Sequence, residues 1–158
     1  MDYKRLLEID LPKGKSAFLW GPRKTGKTFY LRRHFPKSII YDFLQTDTFF
    51  ELSKRPSLLR EQLLARRPEE LSEPVILDEI QKIPALLDEV QGLIENKGIR
   101  FILCGSSARK LMRGHANLLG GRAWRLELFP LTSAEIGNVD LLRALNQGLL
   151  PSHYLEAP

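Results

Sequence analysis

The sequence predicts an α/β fold in which a five-stranded, mainly parallel sheet is sandwiched between two layers of helices. Three observations carry this expectation. Short apolar runs rich in β-branched and aromatic residues alternate along the chain with segments whose leucines return every three or four residues. The runs are apolar almost throughout rather than at every second position, as strands covered on both faces are. The spacers are long enough to be the helical crossovers that parallel neighbours require.

The strand candidates are SAFLW (16–20), SIIYDF (38–43), PVILD (74–78), RFILC (100–104) and WRLELF (124–129). Helical spacing falls between them in TGKTFYLRRHF (25–35), FFELSKRPSLLREQLLARR (49–67), ALLDEVQGLIENKG (85–98) and ARKLMRGHANLL (108–119). Pro84 suits a first helical turn, and Gly98 suits the end of the same helix. Residues 1–15 read as a short basic helix and turn leading into the core, residues 16–137 as the main domain, and residues 138–158 as the start of a linker. No repeat or low-complexity stretch interrupts this order.

Composition bounds the function without choosing it. The 158 residues suffice for one domain with a real core, and 43% hydrophobic with 27% charged residues is ordinary for a soluble globular chain. A net charge of +5 suits a polyanionic partner or a nucleotide, but the basic residues are dispersed and form no nucleic-acid-binding tail. Nucleic acid is therefore a possible partner and not the favoured one. The single cysteine, Cys104, excludes an internal disulfide and fits a cytoplasmic location. No run of about 18 apolar residues is present to span a bilayer.

The chemistry concentrates in Gly21-Pro22-Arg23-Lys24-Thr25-Gly26-Lys27-Thr28. Two glycines separated by four residues and followed by Lys and Thr make the phosphate-binding loop of P-loop NTPases. Backbone N–H groups and the positive end of the helix it opens converge on one phosphate chain. Lys27 is expected to reach the β and γ phosphates of ATP, and the Thr28 hydroxyl to bind Mg2+. About 50 residues later, Val75-Ile76-Leu77-Asp78-Glu79 delivers two acids at a strand's carboxyl end, where ligands bind in such sheets. Asp78 is expected to hold magnesium, and Glu79 to deprotonate the water that attacks the γ-phosphate.

The fourth strand ends in Gly105-Ser106-Ser107 at the same edge. Ser106 either senses the γ-phosphate or the attacking water, or it or Ser107 caps the next helix; the sequence leaves both open. A transition-state arginine is available in Arg109 or in Arg122, although surface arginines are commoner. Cys104 reads as a small core residue rather than a nucleophile. The histidines show no metal-ligand spacing.

With SAFLWGPRKTGKT, VILDEIQKIPALLDEV, FILCGSSARKL, NLLGGRAWRLELFPLTSAEI and LNQGLLPSHYL in hand, the chain resembles bacterial and archaeal ATP-binding proteins with an N-terminal AAA domain. In those proteins a C-terminal domain of poorly defined function follows. The resemblance implies a P-loop NTPase αβα sandwich of the AAA (ASCE) type, with the third strand carrying the two acids. It also implies a second domain that this chain lacks, so slow turnover is expected until that domain or a partner protein is supplied. Oligomers are possible. The apolar stretch Leu149, Leu150, Tyr154 and Leu155 either awaits that partner or folds back on the core.

The favoured function is an ATP hydrolase. The alternatives are a nucleotide-gated switch with little turnover, a nucleotide-dependent nucleic-acid binder, and a GTPase or small-molecule kinase. Glu79 favours hydrolysis. Asn96-Lys97-Gly98-Ile99 lacks the final Asp of a guanine reader, and no arginine-rich kinase lid is evident.

Overall fold

The computed structural model describes residues 3–106, 111, 118–121 and 123–155. Its centre is a five-stranded sheet of β1 (Ser16–Trp20), β2 (Ile40–Asp42), β3 (Val75–Asp78), β4 (Phe101–Gly105) and β5 (Ala123–Glu127). The spatial order is β2-β3-β4-β1-β5, and every pairing is parallel. All carboxyl ends therefore meet at one edge, with β1 and β4 central. In the register, Asp78 lies beside Cys104 and Trp20 beside Gly105.

Alternate side chains of these strands feed two cores. Phe18, Trp20, Val75, Leu77, Phe101 and Leu103 face α2 (Thr46–Lys54), α3 (Ser57–Leu64) and α4 (Leu86–Lys97) through residues such as Leu52, Leu59 and Val90. Ala17, Leu19, Ile76, Ile102 and Cys104 face α1 (Lys27–His34) through Tyr30 and Leu31. Burial on both faces is the physical reason the strands read as continuous apolar runs. Gly98, at φ 65, ends α4 as expected of a left-handed C-terminal glycine.

Two expectations are corrected. The single helix read over 49–67 is two helices, α2 and α3, broken at Pro56. Proline supplies no N–H and its ring collides with the carbonyl four residues back, and it pushes Arg55 out of the helical region, to φ −142 and ψ 84. The lead-in also contains no helix among its described residues 3–15. Burial there alternates residue by residue, with Tyr3, Arg5, Leu7 and Ile9 half-buried and Leu11 fully buried, which is the period of an extended strap. The strap lies on α1, where the Tyr30 hydroxyl donates to the Leu7 carbonyl at 2.8 Å. The helix read over 108–119 falls largely outside the described residues.

Beyond β5 come α5 (Ser133–Ile136), α6 (Leu141–Gln147) and α7 (Pro151–Leu155). Asp140 caps α6 by accepting the Arg143 amide at 3.0 Å. Leu131 donates its amide to the Leu149 carbonyl at 2.7 Å, and Tyr154 is buried with its hydroxyl accepting the Asp140 amide at 3.0 Å. Of the two readings of the terminal apolar stretch, Tyr154 follows the one that folds back. Leu155 of that stretch stays exposed, and α6 also leaves apolar surface open, with Leu141, Leu142 and Leu145 68%, 74% and 75% exposed.

Candidate active site

The loop after β1 is shaped by its glycines and by its own side chains. Gly26, at φ 88 and ψ 21, turns the chain into α1 with no side-chain cap, so the N–H groups of the first helical turn remain available to an anion. At Gly21 a Cβ would fall far inside 3.0 Å of the Leu128 carbonyl oxygen, so only glycine fits where β1 leaves the sheet. Thr25 is buried and donates its hydroxyl to the Pro22 carbonyl at 3.0 Å, closing the loop.

Lys27 is the first residue of α1 and is buried, its ammonium donating to the carbonyls of Gly21 at 2.7 Å and Pro22 at 2.8 Å. Arg23 and Lys24 are exposed on the loop, and both line the cleft beside it. One residue on from Lys27, the Thr28 hydroxyl donates to Asp78 Oδ2 at 2.5 Å. This contact joins the phosphate loop to the end of β3, two strands away in the sheet. Between them β4 ends in the small residues Cys104 and Gly105, with Ser106 directly after it. Burial pushes the Cys104 thiol well above its ordinary range, and the neighbouring Asp78 charge adds to the effect. That environment suits a core residue and not a nucleophile.

Thr28 and Asp78 offer two hard oxygens in contact. Magnesium commonly takes one or two protein oxygens and completes its shell with water and substrate phosphate, so this pair fits it. Among the described residues no group of three or more His, Cys, Asp and Glu gathers as an all-protein cage.

Glu79 follows Asp78 in the left-handed region, at φ 60 and ψ 42, which turns the chain sharply into a single 3-10 turn, Ile80–Lys82. Its carboxylate is buried and faces Ser106, whose hydroxyl donates to Oε2 at 3.2 Å. The same Oε2 accepts the side-chain amide of Gln81. Glu79, Arg23, Lys24, Gly26, Lys27, Thr28, Phe29 and Leu44 line one cleft of about 320 Å³. Phosphate-loop residues and the second acid of the VILDE run are thus brought together. Arg122 and Arg109 lie outside the described residues, as does Ser107.

Three side chains here escaped the sequence reading. Gln81 was hidden because its role depends on the turn at Glu79. Lys82 braces that turn, donating to the Phe43 carbonyl at 2.6 Å with its ammonium 4.5 Å from the Phe49 ring centre. Arg5, on the strap, donates to Thr25 O of the phosphate loop at 2.8 Å, to Phe129 O at 2.5 Å and to Glu135 at 2.9 Å. Glu135 also accepts the amides of Leu6 and Thr132, both at 2.9 Å. Burial pushes its pKa up, but those amides and the Arg5 guanidinium outweigh it and hold the carboxyl below its ordinary range.

A family model described as an AAA domain matches residues 13–137, most of the chain and every residue lining the cleft beside the phosphate loop. The chain belongs to the AAA-domain family. The all-parallel sheet with helices on both faces agrees with the P-loop NTPase fold of that family, and membership brings nucleotide binding of the ATPase type. The chain is also 28% identical over 137 residues to an uncharacterized protein of Methanocaldococcus jannaschii, covering 83% of this AAA chain and 30% of that protein. It therefore spans less than a third of the relative's length. No helix among the described residues is long and apolar enough to cross a membrane.

Proposed function

We propose that this AAA domain binds ATP with magnesium and hydrolyses it to ADP and phosphate at the edge where β1, β3 and β4 end. The observation that carries the reading is the convergence of Lys27, Thr28, Asp78 and Glu79, with Thr28 bonded to Asp78 and the other two flanking the same cleft. The phosphates enter this cleft, where the loop amides and the first turn of α1 receive them. Lys27 exchanges the carbonyls of Gly21 and Pro22 for phosphate oxygens, so a buried ammonium keeps partners in both states.

Thr28 and Asp78 hold magnesium, which when bound neutralises charge on the phosphate oxygens. Glu79 accepts a proton from a water as the water's oxygen attacks the γ-phosphorus. The bond to the β–γ bridging oxygen breaks, and its electron pair leaves with ADP. Ser106 fixes the Glu79 carboxylate from the end of β4.

The nucleoside end has room next door. A cavity of about 1220 Å³ shares Lys24, Gly26 and Phe29 with the phosphate cleft and is walled by Tyr3 and Leu7 of the strap, Tyr30 of α1 and His153 of α7. Its aromatic and apolar walls suit a base and ribose, and Lys4, Arg5, Glu8, Lys24 and Arg33 add charge along the same lining. The test is calorimetric titration with magnesium and ATP. Lys27→Ala should weaken binding by roughly ten- to a hundredfold, the scale of a charge-assisted contact of about 1.5–3 kcal/mol. Unchanged affinity would mean that the loop is not the phosphate site.

A further inference from the structure

The geometry points to Gln81 as the residue that positions Glu79 for attack on the nucleotide. The inference rests on the hydrolytic reading above and gives Glu79 a hydrogen-bond partner which neither the phosphate loop nor the acid pair reveals.

Glu79 leaves β3 in the left-handed region, a conformation that strains a non-glycine residue. The turn it produces is closed by Lys82 N donating to Glu79 O and Ile83 N donating to Ile80 O, both at 3.0 Å. It brings the side chain two residues on back against the Glu79 carboxylate. Gln81 Nε2 donates to Glu79 Oε2 and also lies 3.3 Å from Ser106 Oγ, while Ser106 donates to the same Oε2 at 3.2 Å. Gln81, Ser106 and Glu79 form a closed triangle that joins the ends of β3 and β4.

Both donors converge on one carboxylate oxygen. Among the described residues no hydrogen bond goes to Oε1, so the carboxylate is fixed by one oxygen and keeps the other for a water. A general base needs this arrangement, since it must be oriented without having all its acceptor capacity consumed. The orientation of the Gln81 amide follows from charge: the reverse would set its carbonyl oxygen against a carboxylate.

Holding that orientation has a cost. Gln81 Oε1 is buried and has no hydrogen-bond partner among the described residues, and an unsatisfied buried acceptor is destabilising. It is directed at Gly105, where a Cβ would collide with it and would lie 2.7 Å from the Trp20 ring. The last residue of β4 is thus glycine where the Gln81 amide needs the space. A glutamine serving only to fill volume has no reason to keep its acceptor unpaired, whereas one whose amide must face Glu79 does.

Gln81 is a positioning residue, acting through Glu79 and not on the substrate. The experiment is steady-state ATP hydrolysis with magnesium by the parent, Gln81→Ala, Glu79→Gln and the double variant, with thermal unfolding of each. Gln81→Ala should lower kcat roughly tenfold, the scale of one hydrogen bond to a charged group, with KM within about twofold of the parent. The double variant should match Glu79→Gln alone, because a residue acting through Glu79 has nothing left to position. Should Gln81→Ala fail to fold, Gln81→Met, close in size and uncharged, takes its place; it presents no amide donor and must show the same fall in kcat. A parent-like kcat in the Gln81 variant, or a loss that multiplies with that of Glu79→Gln, overturns the inference while leaving the hydrolytic reading intact. Parent-like turnover by Glu79→Gln overturns both.

Discussion

Replacing glycine by alanine should have opposite signs at two positions of this AAA domain, and the structure gives both magnitudes. At Gly21 an added Cβ falls far inside 3.0 Å of the Leu128 carbonyl oxygen and 3.1 Å from its carbon. The obstacle is backbone, so no side-chain rotation relieves it. Leu128 cannot retreat easily either, because its amide donates to the Trp20 carbonyl at 2.7 Å, adjacent to the β1–β5 ladder. The overlap therefore falls at the upper end of overpacking penalties, about 3 kcal/mol. For a chain of this size that corresponds to a fall in Tm of roughly 6–12 °C. Gly92 lies inside α4 with nothing within 4 Å of an added Cβ. Alanine there removes backbone entropy from the unfolded chain and should stabilise by about 0.5–1 kcal/mol. Thermal unfolding without nucleotide, followed by circular dichroism, reads both. A Tm for Gly21→Ala within about 2 °C of the parent, or shifts of the same sign at the two glycines, would refute the steric reasoning.

Two further outcomes follow from the site and its supports. Glu135 has a carboxyl held below its ordinary range, so its contribution to stability is present above the unfolded value of about 4.3 and is lost as pH falls through the lower folded value. Glu135→Gln leaves the half-buried Arg5 guanidinium without its counter-charge and should cost about 1.5–3 kcal/mol at pH 7, the scale of a hydrogen bond between charged groups. Its deficit against the parent should shrink in denaturant titrations as pH falls below about 4; a deficit independent of pH would count against the ion pair. Asp78→Asn should abolish most of the gain in ATP affinity that magnesium confers, measured by calorimetry with the metal and with a chelator. An undiminished metal effect would remove Asp78 from the magnesium site.

Much of the fold was legible because its signals are local. Burial on both faces makes each strand an apolar run, and the phosphate loop is contiguous in sequence, so neither depends on knowing the neighbours. Strand order is another matter: β4 lies between β1 and β3 because of how the crossovers pack, and no short pattern records it. Pro56 carried its own signal, but the leucines on either side keep a helical period that masks the break. The strap was misread because Arg5, Leu7, Ile9 and Leu11 alternate over too short a length to outweigh the basic, leucine-bearing look of the segment. Gln81 and Arg5 could not be found from spacing alone. One depends on a left-handed turn at a glutamate, and the other joins residues 20, 124 and 130 positions distant.

The most direct test of the hydrolytic site is turnover and binding by Glu79→Gln beside the parent. Glu79 is buried in contact with Ser106 and Gln81 and lines the cleft with Lys27 and Thr28. Amide for carboxylate keeps the shape and removes only the proton acceptor. ATP affinity with magnesium should stay within about twofold while phosphate release slows by roughly a hundredfold or more, the scale of losing a general base. A variant that releases phosphate at the parent rate would contradict the assignment of Glu79 as the base.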